Sequence, residues 1–425
     1  MKSWDCWDTL IARRSIVDVR NEEGNVFSIA ENIAKVSPQD VLVSDYYDEP
    51  LLCRLMRETA GLRNRLVVTE AGKMTGEVWR RLEYLQISEH TGDNPHSDVE
   101  MPRRHGINTR LSQLSDFTPV EQGLHDSGLK GLALTIREAR LSEYSAGLRS
   151  LQLLQTQVNF PLLFIASIIL HRSHPAATFL MSSRDCCLWR HVQELVRDLH
   201  AGRYRVVYFR TSRICRAFPS GSYLEYVNEN LPGVIVDLTG TGWSLTRLLE
   251  RTEHRSTPIV FITRVDAPAL AAQYRALGGA SMTGNINVLL QSPAPHTDIE
   301  TMNTADHAMY VDATQTWNPL GIDWKHLQEI QVMHATFMTA VQAARHYDFS
   351  SDVAVADSEL QKHLLDCLIR VNADHLYGSP LHMLLHAEND AIMQRLADMS
   401  AREKRSRPHS GSCDHDGGQV GNLGD

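Results

Sequence analysis

At 425 residues the chain exceeds what one ordinary core holds, so two domains are expected. Apolar residues at 43% and charged residues at 22% fit a soluble globular protein, and the net charge of -9 argues against broad nucleic-acid affinity. The seven cysteines include no CxxC pair, and the adjacent Cys186 and Cys187 cannot easily share a strain-free disulfide, so a reducing, cytoplasmic setting is expected. No signal peptide is expected ahead of Asp5, and the apolar run from Phe160 to Leu170 is too short to span a bilayer.

In chain order, Lys2 to Leu10 reads as a strand entering a turn. Ile16 to Val36 is expected to be helical, with Phe27, Ile29, Ile33 and Val36 on its apolar face. Val41 to Ser44 is a short strand, Pro50 to Thr59 a helix, and Arg65 to Thr69 the next strand. Lys73 follows, then a helix from Thr75 to Leu85, and Ser88 to Gly92 leads into a Gly-Asp-Asn turn carrying Asp93 and Asp98. Strands alternating with helices predict a parallel sheet covered by helices, an α/β fold of Rossmann-like type. Carboxylates at the carboxyl ends of such strands can meet from distant positions, and a hard cation such as Mg2+ favours that donor set.

The ordered set Asp5-Cys6-Trp7-Asp8-Thr9-Leu10, Ser44, Lys73 and Gly92-Asp93-Asn94 with Asp98 resembles the haloacid dehalogenase (HAD) superfamily of hydrolases, in the branch that begins FDIFDTL. The resemblance covers roughly residues 2 to 110 and implies a HAD-like domain with at most a small cap. It implies that Asp5 is a nucleophile forming an aspartyl phosphate, that Ser44 holds the transferring oxygens, and that Lys73 offsets their charge. It further implies Mg2+ held by Asp5, Asp93, Asp98 and the Trp7 carbonyl. The chain departs from the phosphatase pattern at Trp7, which stands where an aspartate usually protonates the leaving group.

Pro119 to His171 is expected to be helical, with a boundary near residue 116. Strands return at Ala177 to Met181, Arg205 to Phe209, Gly233 to Leu238 and Thr257 to Thr263, with a helix from Leu188 to Leu199. The segment Val234-Ile-Val-Asp237-Leu-Thr239-Gly240-Thr241-Gly242-Trp-Ser244 resembles the loop that binds phosphoribosyl pyrophosphate (PRPP) in type I phosphoribosyltransferases. The resemblance covers about residues 175 to 265. It implies that Asp237 meets ribose hydroxyls, that Thr239, Gly240, Thr241, Gly242 and Ser244 cradle a phosphate, and that Arg184 and Asp185 lie at the pyrophosphate position. The same features fit a companion domain without transferase activity. Arg210 and Arg213 either hold a substrate phosphate or pair with surface acids.

Three amphipathic helices are expected at Trp324 to Tyr347, Ser358 to Tyr377 and Leu381 to Met399, their histidines structural, and a disordered tail from Ala401. The expected units are therefore 1–116 HAD-like, 117–172 a helical connector, 173–322 phosphoribosyltransferase-like, 323–400 helical and 401–425 tail. The expected function is Mg2+-dependent hydrolysis of a small phosphorylated metabolite, a sugar phosphate or nucleotide, coupled to a PRPP-using domain. The alternative is a non-catalytic sugar-phosphate or nucleotide binder. Neither nucleic acid nor membrane is an expected partner, and the sequence leaves the oligomeric state open.

Overall fold

The computed structural model describes residues 1–14, 24–175, 177–182, 186–199, 204–211, 213–219, 221–240, 242–264, 274–276 and 324–372, with 397–398, 401–402 and 405. Nearly all of the expected third C-terminal helix, most of the tail, and the candidate site residues Arg184, Asp185 and Thr241 lie outside them.

Two parallel five-stranded sheets organise the chain, which is a mixed α/β protein. The first has the order β5-β4-β1-β6-β7, from β1 (Lys2–Trp4), β4 (Val41–Asp45), β5 (Arg65–Thr69), β6 (Glu89–Gly92) and β7 (Asn108–Leu111). Its central strand β1 pairs with β4 on one side, Ser3 opposite Val41, and with β6 on the other, Ser3 opposite His90. Strand order therefore diverges from β1, and the loops leaving β1, β4 and β6 open around one crevice at the carboxyl edge. Apolar residues cover both faces: Trp4, Cys6 and Leu42 join one cluster, and Val41 and Val43 pack with Val78 and Trp79 in another. Continuous burial of this kind is what a parallel sheet between helices requires.

The expected helix from Ile16 to Val36 is formed over only one turn of its described part. Val26–Ser28 is instead a strand, β3, paired antiparallel with β2 (Ile11–Arg13), and only Ala30–Ile33 is helical. Phe27 and Ile29 are both buried, and their spacing of two belongs to an extended chain rather than a helix. The helix expected from Thr75 to Leu85 is likewise broken: Gly72–Thr75 ends at Gly76, whose φ of 80° only glycine adopts freely, and Glu77–Arg81 starts anew.

The second sheet has the order β12-β11-β10-β8-β9, from β8 (Phe179–Ser182), β9 (Val206–Phe209), β10 (Val234–Gly240), β11 (Ile259–Arg264) and β12 (Tyr274–Ala276). Along β10 the side chains alternate. Val234, Val236 and Leu238 enter a large core, whereas Ile235 enters a smaller one on the other face. The large core takes in Leu132 and Phe164 from the segment expected to be a connector, and Phe337 and Leu364 from the C-terminal helices. Those helices and the second sheet thus share one core.

Helix Phe160–Ser173 is apolar all round because it is covered all round, by helices Cys187–Leu199 and Asp357–Asn372 among others. The continuous helical stretch Arg149–Ser173, at 25 residues, is long and apolar enough to cross a membrane by length and composition, yet its most apolar window is 83% buried within the protein. Within it, Ser167 Oγ accepts from Trp189 Nε1 at 2.8 Å.

Helix Lys130–Ser142 ties the two sheets together. Its N-terminus is held by the fully buried Asp352, which accepts from the Gly131 and Leu132 amides at 2.9 and 2.8 Å. Further along, Glu138 takes Arg14 from the β2–β3 hairpin in a bidentate pair, Nε to Oε2 at 2.9 Å and Nη2 to Oε1 at 2.7 Å. The same carboxylate accepts Tyr347 Oη at 2.8 Å, so one buried anion joins three regions of the chain.

Candidate metal and phosphoryl-transfer site

Asp5 is the first residue past β1, and its amide donates to the Thr91 carbonyl at 2.8 Å, which extends the pairing with β6 by one residue. Asp93 is the first residue past β6. The turn after it is closed by Asn94, whose side chain accepts from the His96 and Ser97 amides at 2.9 and 3.1 Å and starts the short helix Pro95–Glu100. That helix carries Asp98 back over Gly92. One carboxylate oxygen from each of Asp5, Asp93 and Asp98 lies within 4.8 Å of the other two.

Lys73 Nζ stands among them, in contact with Asp5 Oδ1 and 2.6 Å from Asp98 Oδ1. Asp45, at the end of β4, sets Lys73 in place. Its Oδ1 accepts the Lys73 amide at 3.0 Å and the Thr69 hydroxyl, and its Oδ2 accepts the Met74 amide at 3.2 Å. Asp98 is fixed on the protein side as well, Oδ2 accepting the Asn94 amide at 3.0 Å and Oδ1 lying 3.1 Å from His90 Nε2.

Burial, reinforced by the charges of Asp98 and Asp93, pushes the Asp5 carboxyl well up against the opposing pull of Lys73. Burial, with Asp98 and Asp8 adding to it, raises Asp93 to about 6. Burial also disfavours charged Asp98, but the His90 hydrogen bond and the Lys73 charge overcome it and hold the carboxyl at about 2. Burial opposes the Lys73 ammonium, yet Asp5 and then Asp98 outweigh it and push its pKa up. Lys73 thus pairs with two of the three carboxyl groups, Asp5 and Asp98, and the negative charge the cluster carries when ionised is what a divalent cation would neutralise. The hard oxygen donors suit Mg2+.

One expected member of the site, Ser44, takes another face. Ser44 is buried at the same sheet edge, but alternation along β4 puts it on the face of Leu42, against the Cys6 thiol, while Asp45 takes the face toward Lys73. The Trp7 side chain leans on Tyr46, ring centroids 5.5 Å apart, and beneath the Arg13 guanidinium, 3.9 Å from the ring. Its backbone forms a bridge with Ile11 as the chain turns through Asp8 at φ 50°. Thr9, next in the motif, reaches Asp93 Oδ1 at 3.5 Å.

In the second sheet Asp237 is 4% exposed and lies within β10, short of its carboxyl end. Arg216 Nη2 reaches its Oδ2 at 3.3 Å, and its Oδ1 accepts the Leu238 amide at 3.0 Å. Arg216 Nε in turn donates to Thr211 Oγ1 at 3.0 Å, which also receives the Tyr223 hydroxyl at 2.8 Å. The carboxylate expected to meet ribose is thus engaged by a buried network. Thr239 and Gly240 end β10; Gly242 has φ 74° and precedes the short helix Trp243–Leu249, which contains Ser244. Arg210 donates its amide to Tyr226 Oη at 2.9 Å.

His90, Ser3 and Asp45 are site residues that sequence reading missed. His90 lies among the polar residues of Glu89–Gly92, Ser3 stands beside Lys2, and Asp45 follows Ser44 at the end of β4, so no local pattern singled them out.

Compared with known protein families and with curated proteins, the chain matches none.

Proposed function

We propose that the chain is a Mg2+-dependent phosphohydrolase of the HAD type, acting on a small phosphorylated metabolite such as a sugar phosphate or nucleotide. The observation that carries this reading is the meeting of Asp5, Asp93 and Asp98 at one sheet edge with Lys73 between them. Asp93 and Asp98, with Asp5, would hold the cation, and its charge would offset that of the bound phosphate. Asp5 is the nucleophile: one of its oxygens attacks phosphorus, the bond to the leaving oxygen breaks, and water later cleaves the aspartyl phosphate. Lys73 opposes the burial that disfavours ionised Asp5 and draws the phosphate dianion toward it.

The test is phosphate release from a panel of phosphate esters with and without Mg2+. Release should require the cation and vanish in Asp5→Asn; release that survives this substitution would overturn the reading. Trp7 favours a second reading, a phosphorylated-ligand binder without turnover, because an indole cannot protonate a leaving group. Saturable, Mg2+-dependent binding of the same esters with no phosphate released would decide for it.

A further inference from the structure

His90 has no part in the reaction as proposed, yet it is wholly buried on β6 directly beneath the acidic cluster. A strand between two helical layers normally fills such a position with an apolar side chain. A buried imidazole is costly unless both nitrogens find partners. Here they do: Nε2 lies 3.1 Å from Asp98 Oδ1, and Nδ1 lies 2.9 Å from Ser3 Oγ on the adjacent strand. The register brings Ser3 directly opposite His90, and Trp79 packs edge-on to the ring at 4.6 Å, so the imidazole is held in plane.

The partners settle the tautomer. An ionised Asp98 only accepts, so Nε2 must carry the proton. Nδ1 is then an acceptor, and the Ser3 hydroxyl is its donor. With Lys73 on the same oxygen and the Asn94 amide on the other, His90 completes a set of donors that leaves Asp98 one orientation. Donors behind a ligand carboxylate fix its direction and its basicity.

We infer that His90 is a positioning residue for the cation site: with Nε2–H toward Asp98 and the Ser3 hydroxyl behind its other nitrogen, it donates to Asp98 and aims that carboxylate at the ion. The inference rests on the metal reading of the cluster. Its probe is Mn2+, titrated into the full-length protein and followed by electron paramagnetic resonance. His90→Phe keeps a ring of similar bulk but loses the donor, and should weaken Mn2+ binding about 10- to 100-fold, whereas His90→Gln, which keeps an N–H donor, should recover most of it. Long-range nitrogen–proton NMR on labelled wild-type protein should show Nε2 protonated and Nδ1 bare.

A His90→Phe protein that binds Mn2+ within about twofold of wild type would overturn the inference, as would an Nδ1–H ring. Should His90→Phe fail to fold, Ser3→Ala carries the test. It removes only the hydroxyl that holds the ring from behind, and should weaken Mn2+ binding by loosening the donor to Asp98; unchanged affinity would overturn the inference. Wild-type protein that takes up no Mn2+ would instead overturn the metal reading, and this inference with it.

Discussion

A Cβ placed on Gly92 would stand 2.3 Å from the carboxyl carbon of Asp98. The glycine is therefore needed by the carboxylate, not by its own backbone angles. It ends β6 and lets the helix Pro95–Glu100 fold back until Asp98 lies against the strand. Gly92→Ala should displace Asp98 and weaken Mg2+ binding by at least about tenfold. The overpacking should also cost about 1–3 kcal/mol of stability. Calorimetric titration with Mg2+ checks the first effect and urea unfolding the second; wild-type affinity in this variant would show that the turn can re-form around a methyl group.

Lys73 is 3% exposed and touches two carboxylates, so its loss leaves negative charge buried without a partner. Lys73→Met should lower the stability of the metal-free protein by about 3–5 kcal/mol, the usual cost of removing one member of a buried ion pair. Mg2+ should restore more stability to this variant than to wild type, because the cation then supplies the missing positive charge. Unfolding curves in chelator and in excess Mg2+ give both quantities. Equal Mg2+ stabilisation in the two proteins would mean that Lys73 and the cation do not serve the same charges.

Strands β4 and β5 of the first sheet were legible in the sequence because they are short apolar runs ended by polar turns, whereas β7, Asn-Thr-Arg-Leu, carries no such run and was not read. Arg65 to Thr69 was read with the observed bounds, and the order of strand and helix placed Asp5, Lys73, Asp93 and Asp98 at one edge before any contact was known. The β2–β3 hairpin was not legible, because four apolar residues between 27 and 36 can be fitted to a helical period once their spacing of two is overlooked. Ser44 was misplaced for a related reason. Motif order fixes a position along a strand but not which face its side chain takes, and one residue of difference handed the contact with the Lys73 segment to Asp45. Asp237 illustrates the limit for loops: an acid at the end of an apolar strand was visible, whereas Arg216, its partner from another helix, was not.

That partnership has a measurable consequence. Both side chains are largely buried, at 10% and 6% exposure for Arg216 and Asp237. Asp237→Ala should therefore lower global stability, by about 3 kcal/mol or more, since it strands the guanidinium. Urea unfolding of the variant is the check. A variant as stable as wild type would show that the carboxylate is available to a ligand, and PRPP consumption by wild type and variant would then be the next measurement.

Trp7 makes a prediction about substrates. A positioned general acid contributes about 10²- to 10⁴-fold to departure of a basic leaving group, and an indole supplies none of it. Aryl and acyl phosphates, whose leaving groups depart as stable anions, should then be turned over at least about a hundredfold faster than sugar monophosphates. Comparing kcat/KM across a series of aryl phosphates of graded leaving-group acidity tests this. A flat dependence would mean that another group at the site protonates the leaving oxygen.

The charge imbalance among the carboxylates should be visible in how stability responds to pH and Mg2+ together. Asp93 titrates at about 6 in the folded protein, raised first by burial and then by Asp98 and Asp8, against an ordinary value of 3.8. Between those values the folded state binds more protons than the unfolded one, so stability falls as pH rises. The contribution is fully present below pH 3.8 and is lost as pH passes through about 6. Asp5, raised in the same direction, adds to the trend. Asp98, held at about 2, opposes it only where its own proton is bound, at the acid end. A ligand that requires the ionised carboxylates reverses the balance, because Mg2+ competes with protons for the same oxygens. In chelator, the melting temperature should therefore decline between pH 5 and 7, after allowance for the rest of the titrating surface by comparison with Asp93→Asn. In excess Mg2+ the decline should be reduced or reversed, and the Mg2+-induced rise in melting temperature should be larger at pH 7 than at pH 5. An Mg2+ effect of the same size at both values, or one that persists undiminished in Asp93→Asn, would place the cation away from this carboxylate.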